Sequence, residues 1–145
     1  MKYDLSIVIN EQIQENILNV AKNFKKKRIS TIISRILTIM YPYLKYYHTV
    51  TKEFIPVYER IDWNKKIHIC IDYKIYLALK KIYEDTNGYS MAYIIRRISE
   101  YFTENIEKYD DLDSFISNMI ILIKKEKNKF TKNQFDVWKF GKTQN

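Results

Sequence analysis

Polar and apolar positions alternate at the start of the chain. Leu5, Ile7 and Ile9 fall on one side and Asp4, Ser6 and Val8 on the other, a period of two that predicts a short strand. Asn10 follows, a residue suited to a helix N-cap. The period then changes. Ile13, Ile17, Val20, Ala21 and Phe24 lie three or four apart, which makes one stripe of a helix. The basic run Lys25-Lys26-Lys27-Arg28 interrupts that stripe. Ser30-Thr31 suits the cap of a second helix, with Ile32, Ile33, Ile36, Leu37 and Met40 as its apolar positions. Pro42 kinks or ends this helix, or starts a short extension through Tyr47.

The same pattern returns about sixty residues on. Ile67, Ile69 and Ile71 alternate with Lys66, His68 and Cys70, predicting a second strand. Asp72 is placed to cap a helix from about Tyr73 to Thr86 with the stripe Ile75, Leu79 and Ile82. Asn87-Gly88 stops it, and Gly88 suits the left-handed position after a helix end. Ser90 caps the next helix, whose stripe is Ile94, Ile95, Ile98, Tyr101, Phe102 and Ile106. Strand, helix and helix therefore occur twice, in residues 1–48 and 65–109, joined by a linker over 49–64. Residues 110–145 form a C-terminal helical extension. Asp110, Asp111 and Asp113 complement the N-terminal dipole of a helix carrying Leu112, Phe115, Ile116, Met119, Ile120 and Ile123.

One strand and two helices of this size cannot bury a core alone. Pairing the two strands antiparallel over four helices solves this, with Leu5, Ile7, Ile9, Ile67, Ile69 and Ile71 roofing the core. The expected fold is mainly α with a short two-stranded antiparallel ribbon. Pairing within one chain and pairing between two chains are both open, since an extended linker spans either distance.

Composition adds less. The net charge is +8, from 25 basic and 17 acidic side chains, which suits a polyanionic partner. Cys70 is the single cysteine, so no internal disulfide forms and a reducing cytoplasm fits. No apolar run approaches the length of a membrane span. No Gly-rich loop cradles phosphates, and two histidines and one cysteine set far apart give no metal-site spacing. Neither an enzyme nor a bound cofactor is expected.

Two segments carry a resemblance. Lys66-Ile67-His68-Ile69-Cys70-Ile71 with Gly88-Tyr89-Ser90-Met91-Ala92-Tyr93-Ile94-Ile95-Arg96, and Leu5-Ser6-Ile7-Val8-Ile9 with Ser30-Thr31-Ile32-Ile33-Ser34-Arg35, resemble the ribbon-helix-helix family of repressors. The first copy lacks the interhelix glycine and has the basic run instead. The resemblance implies a tandem ribbon-helix-helix pseudo-dimer that inserts its ribbon into the major groove of double-stranded DNA and represses transcription. Carried over, it implies base reading by Lys66, His68 and Cys70 in the second strand and by Ser6 and Asp4 in the first. It places phosphate contacts at Ser30, Thr31 and Ser90, and Lys25, Lys26, Lys27 and Arg28 add backbone charge beside the first of these. Asp4 is repelled by phosphate and Val8 reaches only a thymine methyl, so a purely structural first strand is an alternative. The rival function is a non-catalytic protein-interaction or partition module that kept the fold and lost base readout. The C-terminal stripe needs a surface to cover it, either the chain's own second helices or a second copy in a homodimer.

Overall fold

The computed structural model describes residues 1–21, 28–51, 65–85, 90–109 and 111–126. Strand β1 (Lys2–Ile9) leads into α1 (Glu11–Val20), followed by α2 (Ile29–Met40). A 3₁₀ segment (Tyr41–Tyr46) and a single turn, α3 (Tyr47–Val50), continue the helical path. Strand β2 (Lys65–Asp72) leads directly into α4 (Tyr73–Asp85), then α5 (Met91–Ile106). A last helix, α6, covers 112–126. The molecule is mostly helical, and the described residues contain one sheet, of two strands.

That sheet is the antiparallel pair β1–β2, formed within the chain, with Lys2 opposite Asp72, Ser6 opposite His68 and Ile9 opposite Lys65. The alternation sets its two faces. Ile7, Ile9, Ile69 and Ile71 are buried beneath it, and Leu5 and Ile67 are half-buried at its edges. Asp4, Ser6, Lys66, His68 and Cys70 are exposed above it.

The helices supply the rest of one continuous core. Ile13, Ile17 and Val20 come from α1, Ile32, Ile33, Ile36, Leu37 and Met40 from α2, Ile75, Leu79 and Ile82 from α4. Helix α5 is the central element. From Ile98 to Thr103 every residue is buried, so it is covered all round rather than along one stripe. Phe115, Met119 and Ile123 of α6 close one side of it, with the Phe115 ring 5.3 Å from that of Phe102 and 6.0 Å from that of Tyr101. The C-terminal stripe thus packs on its own chain.

Two caps form as the sequence predicts. Asn10 Oδ1 accepts from the Ile13 N–H at 2.9 Å, and Ser90 Oγ from the Tyr93 N–H at 3.0 Å. Asp111 Oδ1 accepts the Ser114 N–H at 2.7 Å at the start of α6, which holds its carboxyl below the usual range.

Two expected caps are different. Helix α2 begins at Ile29, with Arg28 as its extended N-cap residue and no side-chain cap bond, so Ser30 and Thr31 lie inside its first turn. Ile29 packs against the core, and the helix starts two residues earlier than a Ser30 cap would set it. Asp72 is the last residue of β2 rather than a free cap. Its carboxylate meets the Lys2 ammonium at 3.0 Å, while the Tyr73 N–H that opens α4 donates to the Met1 carbonyl at 3.1 Å. The helical path after Pro42 runs on to Val50, past the expected end at Tyr47. Phe24, Lys25–Lys27, the Asn87-Gly88 stop and most of the linker lie outside the described residues.

The solvent face of the ribbon

The alternation that buries Ile7 and Ile69 projects a row of polar side chains outward, and the register sets them against one another. Lys2 faces Asp72, Asp4 faces Cys70, Ser6 faces His68 and Val8 faces Lys66. Three of these four pairs make contact. Lys2 and Asp72 form the ion pair already described, and the lysine holds the Asp72 carboxyl below its ordinary range. Ser6 Oγ lies 2.8 Å from His68 Nδ1. Cys70 is exposed, yet partial desolvation and then a hydrogen bond with Asp4 push its thiol up, so it is less ready than a free cysteine to become a thiolate. The base-reading candidates Asp4, Ser6, Lys66, His68 and Cys70 therefore share one exposed face. Among the described residues, Lys66 is the cation on this face whose cross-strand partner, Val8, is aliphatic rather than acidic.

The pairing gives the ribbon a charge polarity. On the solvent face, the end bearing Lys2, Asp72 and Asp4 carries one lysine and two carboxylates beside the chain's first residue, whereas the other end carries Lys66, with the exposed Lys65 next to it on the opposite side of the strand. A single Ser–His pair sits between them.

The second helices fix the ribbon from below. Ser34 Oγ on α2 donates to the Cys70 carbonyl at 3.1 Å, and Arg96 Nη1 on α5 donates to the Val8 carbonyl at 3.0 Å. Each bond satisfies a carbonyl of the strand belonging to the other half of the chain. Sequence reasoning missed both residues. Their signal was their matched place, each following an Ile-Ile pair in its helix.

Beside the Lys2 end lies an open cavity of about 320 Å³ between α2 and β2. Thr31, Ser34, Arg35 and Thr38 line it from one face of α2, and Lys2, Cys70 and Asp72 from the ribbon. Thr31 is exposed and Ser30 half-buried in the first turn of α2, so the α2 start and the ribbon end share this cavity wall. Ser90, also exposed, stands at the start of α5, and its hydroxyl is taken up as a cap acceptor. Arg28 is exposed at the start of α2, and Lys25, Lys26 and Lys27 lie outside the described residues.

Among the described residues no cluster of three or more His, Cys, Asp and Glu gathers as metal ligands. No helix among them is long and apolar enough to cross a membrane. One further charged group is out of place for a core: Glu100 on α5 is buried, and neither carboxylate oxygen has a hydrogen-bond partner among the described residues. Burial, then the nearby Glu104, push its pKa up to about 8 against the pull of Arg97 and Arg96.

No family model, no curated protein and no solved structure matches this chain.

Proposed function

We propose that this chain is a cytoplasmic, non-catalytic regulator that binds double-stranded DNA by laying the β1–β2 ribbon in the major groove, as a tandem ribbon-helix-helix pseudo-dimer. One observation carries the reading: a spacing of 62 residues relates the two halves element by element. Helix α4 starts 62 residues after α1 (Tyr73 against Glu11), and α5 starts 62 after α2 (Met91 against Ile29). The buried positions Ile7, Ile9, Ile13, Ile17 and Val20 become Ile69, Ile71, Ile75, Leu79 and Ile82. Ile32, Ile33, Ile36 and Met40 become Ile94, Ile95, Ile98 and Phe102. The bonds from Ser34 to the Cys70 carbonyl and from Arg96 to the Val8 carbonyl exchange under the same shift. Two such halves roofed by one exposed two-stranded ribbon match the geometry by which β-ribbons enter the major groove.

On this reading His68 and Lys66 contact base edges, and the first turns of α2 and α5, with Arg28 beside the former, hold phosphates. Mobility-shift titration on random-sequence and selected DNA at two salt concentrations tests it. Binding should weaken steeply with salt, at a slope of about 0.9 per phosphate contacted. Replacing Lys66 or His68 by Ala should cost roughly 1–3 kcal/mol on a preferred site and blur preference at one or two base pairs. Unchanged preference in both variants would exclude the ribbon as reader.

A second reading has its own support. The outward Lys2–Asp72 and Ser6–His68 contacts occupy groups that a base would otherwise engage. A protein-interaction module that kept the architecture and lost base readout fits such a self-paired face. A chain that fails to retard DNA at low salt would favour it.

A further inference from the structure

We infer that the DNA site is not an inverted repeat, because the two halves of the ribbon present opposite chemistry at equivalent places; this rests on the function proposed above. The register gives the position of the pseudo-twofold axis. Ser6 lies opposite His68, and the shift of 62 residues that relates the halves carries Ser6 onto that same His68. The axis therefore passes through the Ser6–His68 pair at the ribbon's centre.

On either side of that centre the faces diverge. Asp4 and Cys70 stand across the strands from each other on one side, Lys66 and Val8 on the other. The axis relates Asp4 to Lys66 and Cys70 to Val8. A carboxylate thus occupies the place equivalent to an ammonium, and a thiol the place equivalent to an aliphatic side chain. Asp4, Cys70 and Lys66 are exposed, so they face the base edges when the ribbon lies in the groove. Along β1 four residues separate Asp4 from Val8, the partner of Lys66. That is about 13 Å at the rise of a strand, or about four base pairs of duplex.

A ribbon made of two identical chains offers the same side chain twice, so it reads an inverted repeat. Here Lys66 donates to guanine O6 and N7. In an inverted repeat, the base at the equivalent place on the other strand is also guanine. Its O6 and N7 acceptors would face the Asp4 carboxylate, which repels them. A cytosine N4 amine, a donor, fits there instead. The Ser6–His68 contact leaves the outer ring nitrogen, Nε2, to meet the central base pair. The ribbon consequently reads with a direction: guanine at the Lys66 end, and a base presenting a donor at the Asp4 end.

Selection of bound sequences from a randomised duplex library, with the full chain and with Asp4→Lys, tests this. The parent should enrich an asymmetric site and bind it about tenfold more tightly than the inverted repeat built from its Lys66 half. Asp4→Lys gives the two ends like charge and should invert that preference, enriching guanine symmetrically about the centre. Asp4 is exposed, so the variant should melt with the parent, and circular dichroism checks that it does. An inverted repeat enriched by the parent, or no gain of symmetry in Asp4→Lys, overturns the inference while leaving DNA binding intact. Enrichment of nothing above random DNA overturns the proposed function, and the inference with it.

Discussion

Replacing Glu100 by Gln should make the protein more stable at alkaline pH and nearly neutral in effect at acid pH. The side chain is 1% exposed, and neither oxygen has a hydrogen-bond partner among the described residues. Desolvation is the largest cause of its raised pKa, with Glu104 next, while Arg97 and Arg96 oppose it. Both guanidinium groups already donate to backbone, Arg96 to the Val8 carbonyl and Arg97 to the Thr51 carbonyl. The carboxyl titrates near 8 in the folded protein and near 4.5 when unfolded. Below 4.5 both states are protonated and the group is neutral toward folding. Between the two values the folded state holds a proton that the unfolded state has released, so stability falls as pH rises, and the loss is complete above about 8. At about 1.36 kcal/mol per pKa unit the full rise corresponds to roughly 5 kcal/mol. Local relaxation and water penetration around the ionised carboxylate reduce this, and about 2–3 kcal/mol is the expected effect.

Gln keeps the shape of the protonated acid and cannot ionise, so the titration disappears from the variant. Urea unfolding of both proteins between pH 5 and 8.5 measures the effect. The stability difference in favour of Glu100→Gln should grow by about 2 kcal/mol across that range. Any constant offset from the amide cancels in this comparison, as do the other titrating groups. A difference that stays flat with pH would refute the assignment of Glu100 as a buried acid that is neutral in the native state near neutral pH.

Ile69→Ala and Ile7→Ala, both fully covered by the helices, should each cost about 2–5 kcal/mol in thermal melts, and no loss in either would mean the inner face of the ribbon is assigned wrongly. Ser34→Ala removes the bond to the Cys70 carbonyl and should cost about 1 kcal/mol by urea denaturation, less if water replaces the hydroxyl. Phe115→Ala should cost about 3–5 kcal/mol, because its ring packs on Tyr101, Phe102 and Tyr109 of the same chain. A chain ending near Tyr109 should expose that surface and aggregate in light scattering; a well-behaved monomer would instead remove α6 from the core.

The elements were readable because each hydrophobic period has one physical reading. A period of two over Leu5, Ile7 and Ile9 fits a strand with one buried face, and the stripe Ile75, Leu79 and Ile82 fits one face of a helix. The Asn10 and Ser90 caps were readable for the same reason, since a short polar side chain before an apolar stripe satisfies a free backbone N–H. Asp72 misled because a carboxylate suits a cap and an ion pair equally, and only the register brings Lys2 opposite it. Glu100 was invisible for a related reason. One stripe of α5 reads as buried in sequence, but α6 and the other helices cover the remaining faces, so a residue on the expected solvent side is enclosed. The outward residues Lys66, His68, Cys70, Ser6 and Asp4 were legible as one face, while their pairing across it depends on a register that alternation alone does not set.

Joining two strand-helix-helix halves in one chain, on the reading proposed above, changes what substitution can do to the ribbon. In a pair of identical chains, every change on the outer face appears twice. An acid at the place of Asp4 would then stand at both ends and turn the whole groove-facing surface away from phosphate. Here the acid appears once, with Lys65 and Lys66 at the other end. The inner face has no such freedom. Its equivalent positions are Ile7 with Ile69 and Ile9 with Ile71, because both halves bury them in the same shared core and a change in volume at either leaves a void or a clash. On the ribbon, divergence is therefore concentrated in the groups that touch solvent, whereas deeper in the core Leu79 takes the place of Ile17, Phe102 that of Met40 and Ser99 that of Leu37. The Arg96 and Ser34 bonds extend the same rule to the underside. A long guanidinium and a short hydroxyl meet equivalent carbonyls, Val8 and Cys70, so different side chains supply one backbone requirement. What the two halves must share is the satisfied carbonyl and the filled core, and what they are free to differ in is the chemistry they show to the groove.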